Sequence, residues 1–249
     1  MGDTDSADKR VYFARLAEQT GRYDEMADHM AEAVALRGDG DLSVEERYLL
    51  SVAYKNALGS RRAAWRTVRA VQGEGGDEQA QHTKEYGDRL ANELQAMCSN
   101  IVKICDRLCE RTVLPRPPNA EARVFYLKMK ADYSRYAVEV SEGEARAEAV
   151  AKASRAFQSA HSSARRHLPA AHPFRLAVAL NHSVFHHDVL GHSREACVMA
   201  EQASQDGLAE LHALTGASYR DSALLIQLLR DNWVWWSWRS YCNDGNPKT

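Results

Sequence analysis

Apolar residues recur every three or four positions along Leu42–Val71 and Tyr86–Leu108, and no stretch alternates cleanly between apolar and polar. A period near 3.6 belongs to an amphipathic helix and a period of two to a half-buried strand, so the pattern predicts an all-α chain. The six prolines, Pro115, Pro117, Pro118, Pro169, Pro173 and Pro247, mark the limits. Each would cost about 3 kcal/mol inside a helix, which leaves three blocks open to helix: before 115, over 119–168 and over 174–246. Gly21, Gly38, Gly40, Gly73, Gly75, Gly76, Gly143, Gly191, Gly207 and Gly216 subdivide the blocks, because glycine accepts the left-handed conformation that follows a helix end. About nine helices result, antiparallel to their neighbours and joined by short loops. Two of them, Leu42–Gln72 and Thr83–Arg111, run to about 30 residues. Ser43 and Glu46 have capping-box spacing, and Ser193 stands where it can cap Arg194–Leu208. No period of roughly 33 to 47 residues recurs that would make a helical solenoid. The expectation is a single domain over 1–240, the run Trp233, Trp235, Trp236 and Trp238 closing the last helix, and a frayed tail over 241–249.

Apolar residues make up 45% of the 249 and charged residues 27%. Both are ordinary for a globular protein and exclude the disordered, collagen-like and fibrous classes. With 32 basic against 34 acidic residues the net charge is −2. The chain lacks the overall basicity of a general nucleic-acid binder, so no nucleic-acid partner is expected and any anion site must be a local cluster. No stretch approaches the roughly 18 uninterrupted apolar residues of a membrane span, and Met1–Arg10 is polar. The five cysteines do not describe a disulfide framework. A cytoplasmic protein with no membrane partner is expected.

Two basic stripes stand out. Lys55, Arg62 and Arg66 lie at i, i+7 and i+11, within about 40° of arc on one helix face. Lys128 and Arg135 are again seven apart, and Tyr136 follows Arg135. Facing stripes of this kind would repel unless an anion lay between them, and guanidinium forks beside a tyrosine hydroxyl suit phosphate oxygens. Solvated faces would read the same way, and spacing does not separate the two.

A third group mixes apolar residues with amides. Leu180, Val184 and His187 share a face, with Asn181 and Asp188 seven apart on an adjoining one, and Leu225, Leu228, Asn232 and Trp236 form a stripe at i, i+3, i+7 and i+11. An asparagine offers a donor and an acceptor, so two of them along a groove could grip an extended peptide through its backbone. Core leucines with incidental polar neighbours are the alternative.

The strings LLSVAYKNALGSRRAAWR (49–66), VFYLKMKADYSRY (124–136), HPFRLAVALNHSVF (172–185) and DSALLIQLLRDNW (221–233) closely resemble 14-3-3 proteins, and the similarity extends from LAEQTGRYDEM (16–26) to Trp236. The resemblance implies a nine-helix all-α subunit with a concave amphipathic groove, usually dimeric, that binds phosphoserine or phosphothreonine segments of client proteins and has no active site or cofactor. Position by position, Lys55, Arg62, Arg135 and Tyr136 match the family's phosphate pocket. Arg66 and Lys128 match groove positions nearby. Asn181 and Asn232 match the asparagines that hold the client backbone, and Leu180, Val184, Leu224, Leu225, Leu228 and Trp236 match the apolar wall. Asp188 stands where the family usually has glutamate. At the dimer face, Arg22 and Glu25 match positions that pair across the dimer with those of Glu93 and Arg89, near Leu16, Ala17 and Tyr86. A homodimer is expected, a heterodimer with a related chain being the other form.

The sequence departs from the family in several places. His182, His186 and His187 replace residues that are normally aromatic, Ser134 replaces a tyrosine, Ala131 a glycine and Ala64 a serine, and Cys105–Pro118 is longer than usual. The histidines, with a reference pKa of about 6.5, suggest client affinity that rises below pH 6.5. His182 and His186 also have the i, i+4 spacing of zinc ligands, the rival being a metal-dependent helical hydrolase, although Ser183 stands where a HExxH motif needs glutamate. Cys98, Cys105 and Cys109 share a helix face and read as buried thiols. A helical scaffold with a degenerate, phosphate-independent groove is a further alternative.

Overall fold

The computed structural model describes residues 2–71, 76–112 and 119–244. Gly73, Gly75, the break at Pro115, Pro117 and Pro118 with the end of the lengthened Cys105–Pro118 segment, and the tail 245–249 lie outside the described residues. Among the described residues are α1 (Gly2–Gln19), α2 (Tyr23–Leu36), α3 (Val44–Ala70), α4 (Asp77–Arg111), α5 (Ala120–Glu139), α6 (Gly143–His167), α7 (Pro173–Asp188), α8 (Ser193–Glu210), a 3-10 turn (Leu211–Ala213) and α9 (Gly216–Asp244). The fold is all-α, with nine helices and no strand among these residues.

The helix boundaries follow from local chemistry. Ser43 Oγ accepts from the Glu46 N–H at 3.1 Å while Glu46 Oε2 accepts from the Ser43 N–H at 2.7 Å, so the anticipated capping box starts α3. Pro173 occupies the first turn of α7, where its missing N–H costs nothing, and the His172 ring caps it by accepting from the Phe174 N–H. Gly21, Gly38, Gly143, Gly191 and Gly216 all take positive φ. Three boundaries differ from the sequence reading. α4 begins at Asp77, six residues before Thr83, and the acidic pair Asp77 and Glu78 suits the positive end of its dipole. Ser193 is the first residue of α8 and caps nothing, His192 holding the cap position without a side-chain bond. α9 runs past the tryptophans to Asp244.

The chain forms two compact units, the first comprising 1–116 and 136–149 and the second 117–135 and 150–249. In the first, α1 packs on α2, α2 on α3 and α3 on α4. α4 turns the row Leu90, Leu94, Cys98, Ile101, Cys105 and Leu108 inward, all buried. The three cysteines are therefore apolar core groups, as expected, and burial pushes the Cys98 thiol up to about 12.

In the second unit α7, α8 and α9 pack on one another around Leu176, Ala196, Ala200, Ile226, Leu229 and Trp236. The close approach depends on Gly207. It was expected to separate helices, but it lies inside α8, where an added Cβ would come within 2.8 Å of Leu176 Cδ2 and 3.2 Å of Ile226 Cγ1.

Candidate functional site

The basic stripe of α3 has a defined geometry in the first unit. Residues seven apart on a helix are separated by roughly 10 Å along the axis, a span that Lys and Arg side chains cover. Arg62 lies between its two companions and is fixed on two sides. Its Nε and Nη2 donate to Glu139 Oε2 at 2.9 Å and Oε1 at 2.5 Å, and its guanidinium carbon lies 3.8 Å from the centre of the Tyr136 ring. Burial works against the guanidinium's charge, but Glu139 more than offsets it and the pKa is raised. Nη1 takes no part in the Glu139 pair.

Arg66 reaches the same carboxylate at 3.2 Å from an exposed position. Lys55, one face-repeat earlier, is exposed and makes no ion pair with any described residue. It borders a wide concavity of about 580 Å³ shared with Gly21, Tyr23, Asp24, Asn56 and Ser60. Lys55, Arg62 and Arg66 share this face of α3, with Glu139 against the two arginines and Asp24 beside Lys55. Arg135 is half-buried and immediately precedes Tyr136 in α5.

The second unit orders the polar residues of the peptide-binding set. Asp132, only 7% exposed, accepts from Lys128 Nζ at 2.7 Å and from Asn181 Nδ2 at 2.7 Å, so one carboxylate fixes both. Asn181 thereby keeps its carbonyl oxygen for another donor. Leu180, Val184 and Leu225 are partly buried against the core, while Leu224 and Leu228 are exposed at 61% and 40%. Asn232 is half-buried, and Asp188 is exposed beside His187, whose Nδ1 lies 2.7 Å from it. Leu180, Val184 and Leu225 pack against the core cluster that holds Trp236. Trp236 is a buried core residue, stacked on His187 with centroids 4.6 Å apart, and so supports the surface from beneath.

At the expected dimer face, Leu16 and Tyr86 are exposed and the Arg89 guanidinium lies 4.6 Å over the Tyr86 ring. Ala17 is buried within its own chain, which leaves the apolar contact to Leu16. Arg22 and Glu25 are paired with each other in this single chain, and Glu93 takes Arg61 Nε at 3.4 Å. Arg61 also reaches Asp24 at 2.6 Å.

The family model for 14-3-3 proteins matches residues 13–237. The chain belongs to the 14-3-3 family. It is similar to the 14-3-3-like protein D of Nicotiana tabacum, at 45% identity over 91% of both chains. It is similar also to the 14-3-3-like protein GF14-F of Oryza sativa subsp. japonica, at 43% identity over 93% of this chain and 89% of the relative. The 14-3-3 protein homolog of Trichoderma harzianum is 42% identical over 95% of this chain and 88% of its own.

Several features of this 14-3-3 chain escaped the sequence reading. Glu139 and Asp132, the carboxylates that orient Arg62, Lys128 and Asn181, were not singled out. Both stand four residues after a cation of α5, Asp132 after Lys128 and Glu139 after Arg135, and that spacing was the available signal. The histidine reading needs correction. His182 is buried and stacked on Phe157 with an interplanar angle of 3°, and burial, with His161 and His186 adding to it, pushes its pKa down to about 3. It stays neutral throughout the range in which charging was to strengthen client binding. His182 and His186 meet edge to face at 4.9 Å, but no group of three or more His, Cys, Asp or Glu among the described residues could hold a metal ion. No helix is long and apolar enough to cross a membrane among those residues.

Proposed function

We propose that this 14-3-3 chain is a cytoplasmic, non-enzymatic adaptor that binds client proteins at phosphoserine or phosphothreonine. A phosphate ester carries about −1.5 to −2 charges at neutral pH and three acceptor oxygens, and it would take Lys55, Nη1 of Arg62, Arg135 and the Tyr136 hydroxyl as its partners. Arg66, on the same helix face as Lys55 and Arg62, would add positive potential, and Lys128 belongs to the same reading. The client backbone would bond to Asn181 and Asn232, and its apolar side chains would rest on Leu180, Val184, Leu224, Leu225 and Leu228, with Asp188 at the rim.

The observation that carries this reading is the fixed pose of Arg62, clamped by Glu139 and Tyr136 with Nη1 outside the pair. A preset guanidinium needs little ordering on binding, which favours a rigid, planar-bonding anion over a diffuse acidic surface. Dimerisation through Leu16, Arg22, Glu25, Tyr86, Arg89 and Glu93 belongs to the same reading. It requires Arg22 and Glu25 to exchange their mutual pair for partners on a second chain, and it would gain avidity for doubly phosphorylated clients.

The test is Lys55→Glu. Lys55 is exposed and unpaired, so the variant should fold as the parent does and retain its helical circular dichroism. Its affinity for a fluorescent phosphoserine peptide should fall by at least roughly thirtyfold, the equivalent of 2 kcal/mol. Unchanged affinity in a folded variant would remove Lys55 from the site.

A further inference from the structure

Helices α6, α7 and α8 leave a half-open cavity of about 190 Å³ in the second unit, and the phosphopeptide reading makes no use of it. It exists because small residues face it, among them Ala164 of α6, Ala179 of α7 and Ala203 of α8, with Leu176 and Met199 completing an aliphatic wall. Arg165 and Arg175 line the same space. Arg165 is exposed and forms no hydrogen bond or ion pair with any described residue. Arg175 donates from Nη1 to the Leu168 carbonyl at 2.9 Å, a neutral acceptor that leaves its charge uncompensated.

The one carboxylate of the lining, Asp206, accepts from Gln202 at 2.7 Å and pairs with neither arginine. His161, also in the lining, is half-buried. Its pKa is pushed down by burial first and then by Arg165, Arg175 and His186, so the positive field of the arginines reaches into the space.

We propose that this cavity binds a small apolar monocarboxylic acid, with a single ring or short alkyl body against the aliphatic wall and its carboxylate on Arg165 and Arg175. Size supports the choice: a cavity of roughly 150 Å³ holds benzene, so this one takes a ring with a short acid arm. Charge supports it too. Two guanidiniums with no carboxylate partner among the described residues, beside an apolar wall, favour one anionic group at the end of an apolar body, and Asp206 disfavours a second. An apolar body gains by leaving water for the aliphatic wall, and the acid gains charge-assisted hydrogen bonds.

The test is an NMR titration of the full chain with phenylacetate and, in parallel, with neutral phenylacetamide. The acid should give saturable shifts confined to α6, α7 and α8, and it should raise the apparent pKa of the His161 imidazole, identified by its loss in His161→Gln. The amide should bind about tenfold more weakly or worse. Arg165→Gln, at an exposed side chain without structural partners, should weaken the acid by about fivefold. Ala203→Leu, which fills the cavity and keeps the charges, should abolish binding. Acid and amide of equal affinity, shifts that persist in Ala203→Leu, or shifts centred on Lys55 and Tyr136 would each overturn the proposal.

Discussion

Glu139 grips Arg62 by two parallel N–H···O bonds, Nε to Oε2 at 2.9 Å and Nη2 to Oε1 at 2.5 Å. The carboxylate neutralises part of the charge that a phosphate would seek, yet it also sets the plane of the guanidinium against Tyr136. The fork geometry, rather than the charge alone, is what this arrangement preserves. Arg62→Lys keeps the positive charge and loses both the planar fork and the cation–π contact. It should weaken phosphopeptide binding by about tenfold, whereas Arg66→Lys at its exposed position should change affinity less than threefold. Equal losses in the two variants, measured by anisotropy, would show that charge alone matters.

Buried His182 makes part of the stability sensitive to acid. His182 faces Phe157 and His161 from α6 and His186 from its own helix; Arg165 and Arg175 act on His161, and His192 and Glu195 on His186. The folded-state pKa of His182, about 3, lies below the ordinary 6.5 of an unfolded chain. The unfolded state therefore takes up the proton first as pH falls. The stability contributed by neutral His182 is whole above pH 6.5 and is lost progressively from there down toward pH 3. At pH 5 the loss from this group alone is about 2 kcal/mol. Urea unfolding at pH 7 and pH 5 should show wild type losing about that much more than His182→Phe; parallel losses would mean that His182 is protonated in the fold.

Gly207 is a packing residue. Leu176 and Ile226, which an added Cβ would meet at 2.8 and 3.2 Å, are both buried, and of the two only Leu176 borders the cavity between α6, α7 and α8. Gly207→Ala should cost about 1 to 3 kcal/mol in spite of alanine's better helix propensity. Thermal unfolding that is unchanged or improved would show that α8 can shift to accommodate the methyl group.

The helices were legible because local signals fix them: the Ser43 and Glu46 pair starts α3, and Gly21, Gly38, Gly143, Gly191 and Gly216 adopt the backbone that their positions suggested. Gly207 misled because a glycine admitted for contact and one admitted for a turn look alike in a sequence. Lys55, Arg62 and Arg66 could be placed on one face by arithmetic. The roles of Glu139 and Asp132 could not be read, since an acidic residue on a helix is usually solvated and only the packed chain places these two against Arg62 and Asn181. Trp236 and His182 sit on stripes whose inward or outward sense periodicity leaves open, and both turn inward.

Phosphate, rather than an acidic or apolar peptide surface, is what we propose this protein recognises. That proposal is tested most directly by anisotropy titration of one labelled peptide, Arg-Ser-X-Ser-X-Pro, with and without phosphate on the second serine, at two salt concentrations. The phosphorylated form should bind at least roughly thirtyfold more tightly, with an advantage that shrinks as salt rises. Equal affinity for the two peptides would contradict the account.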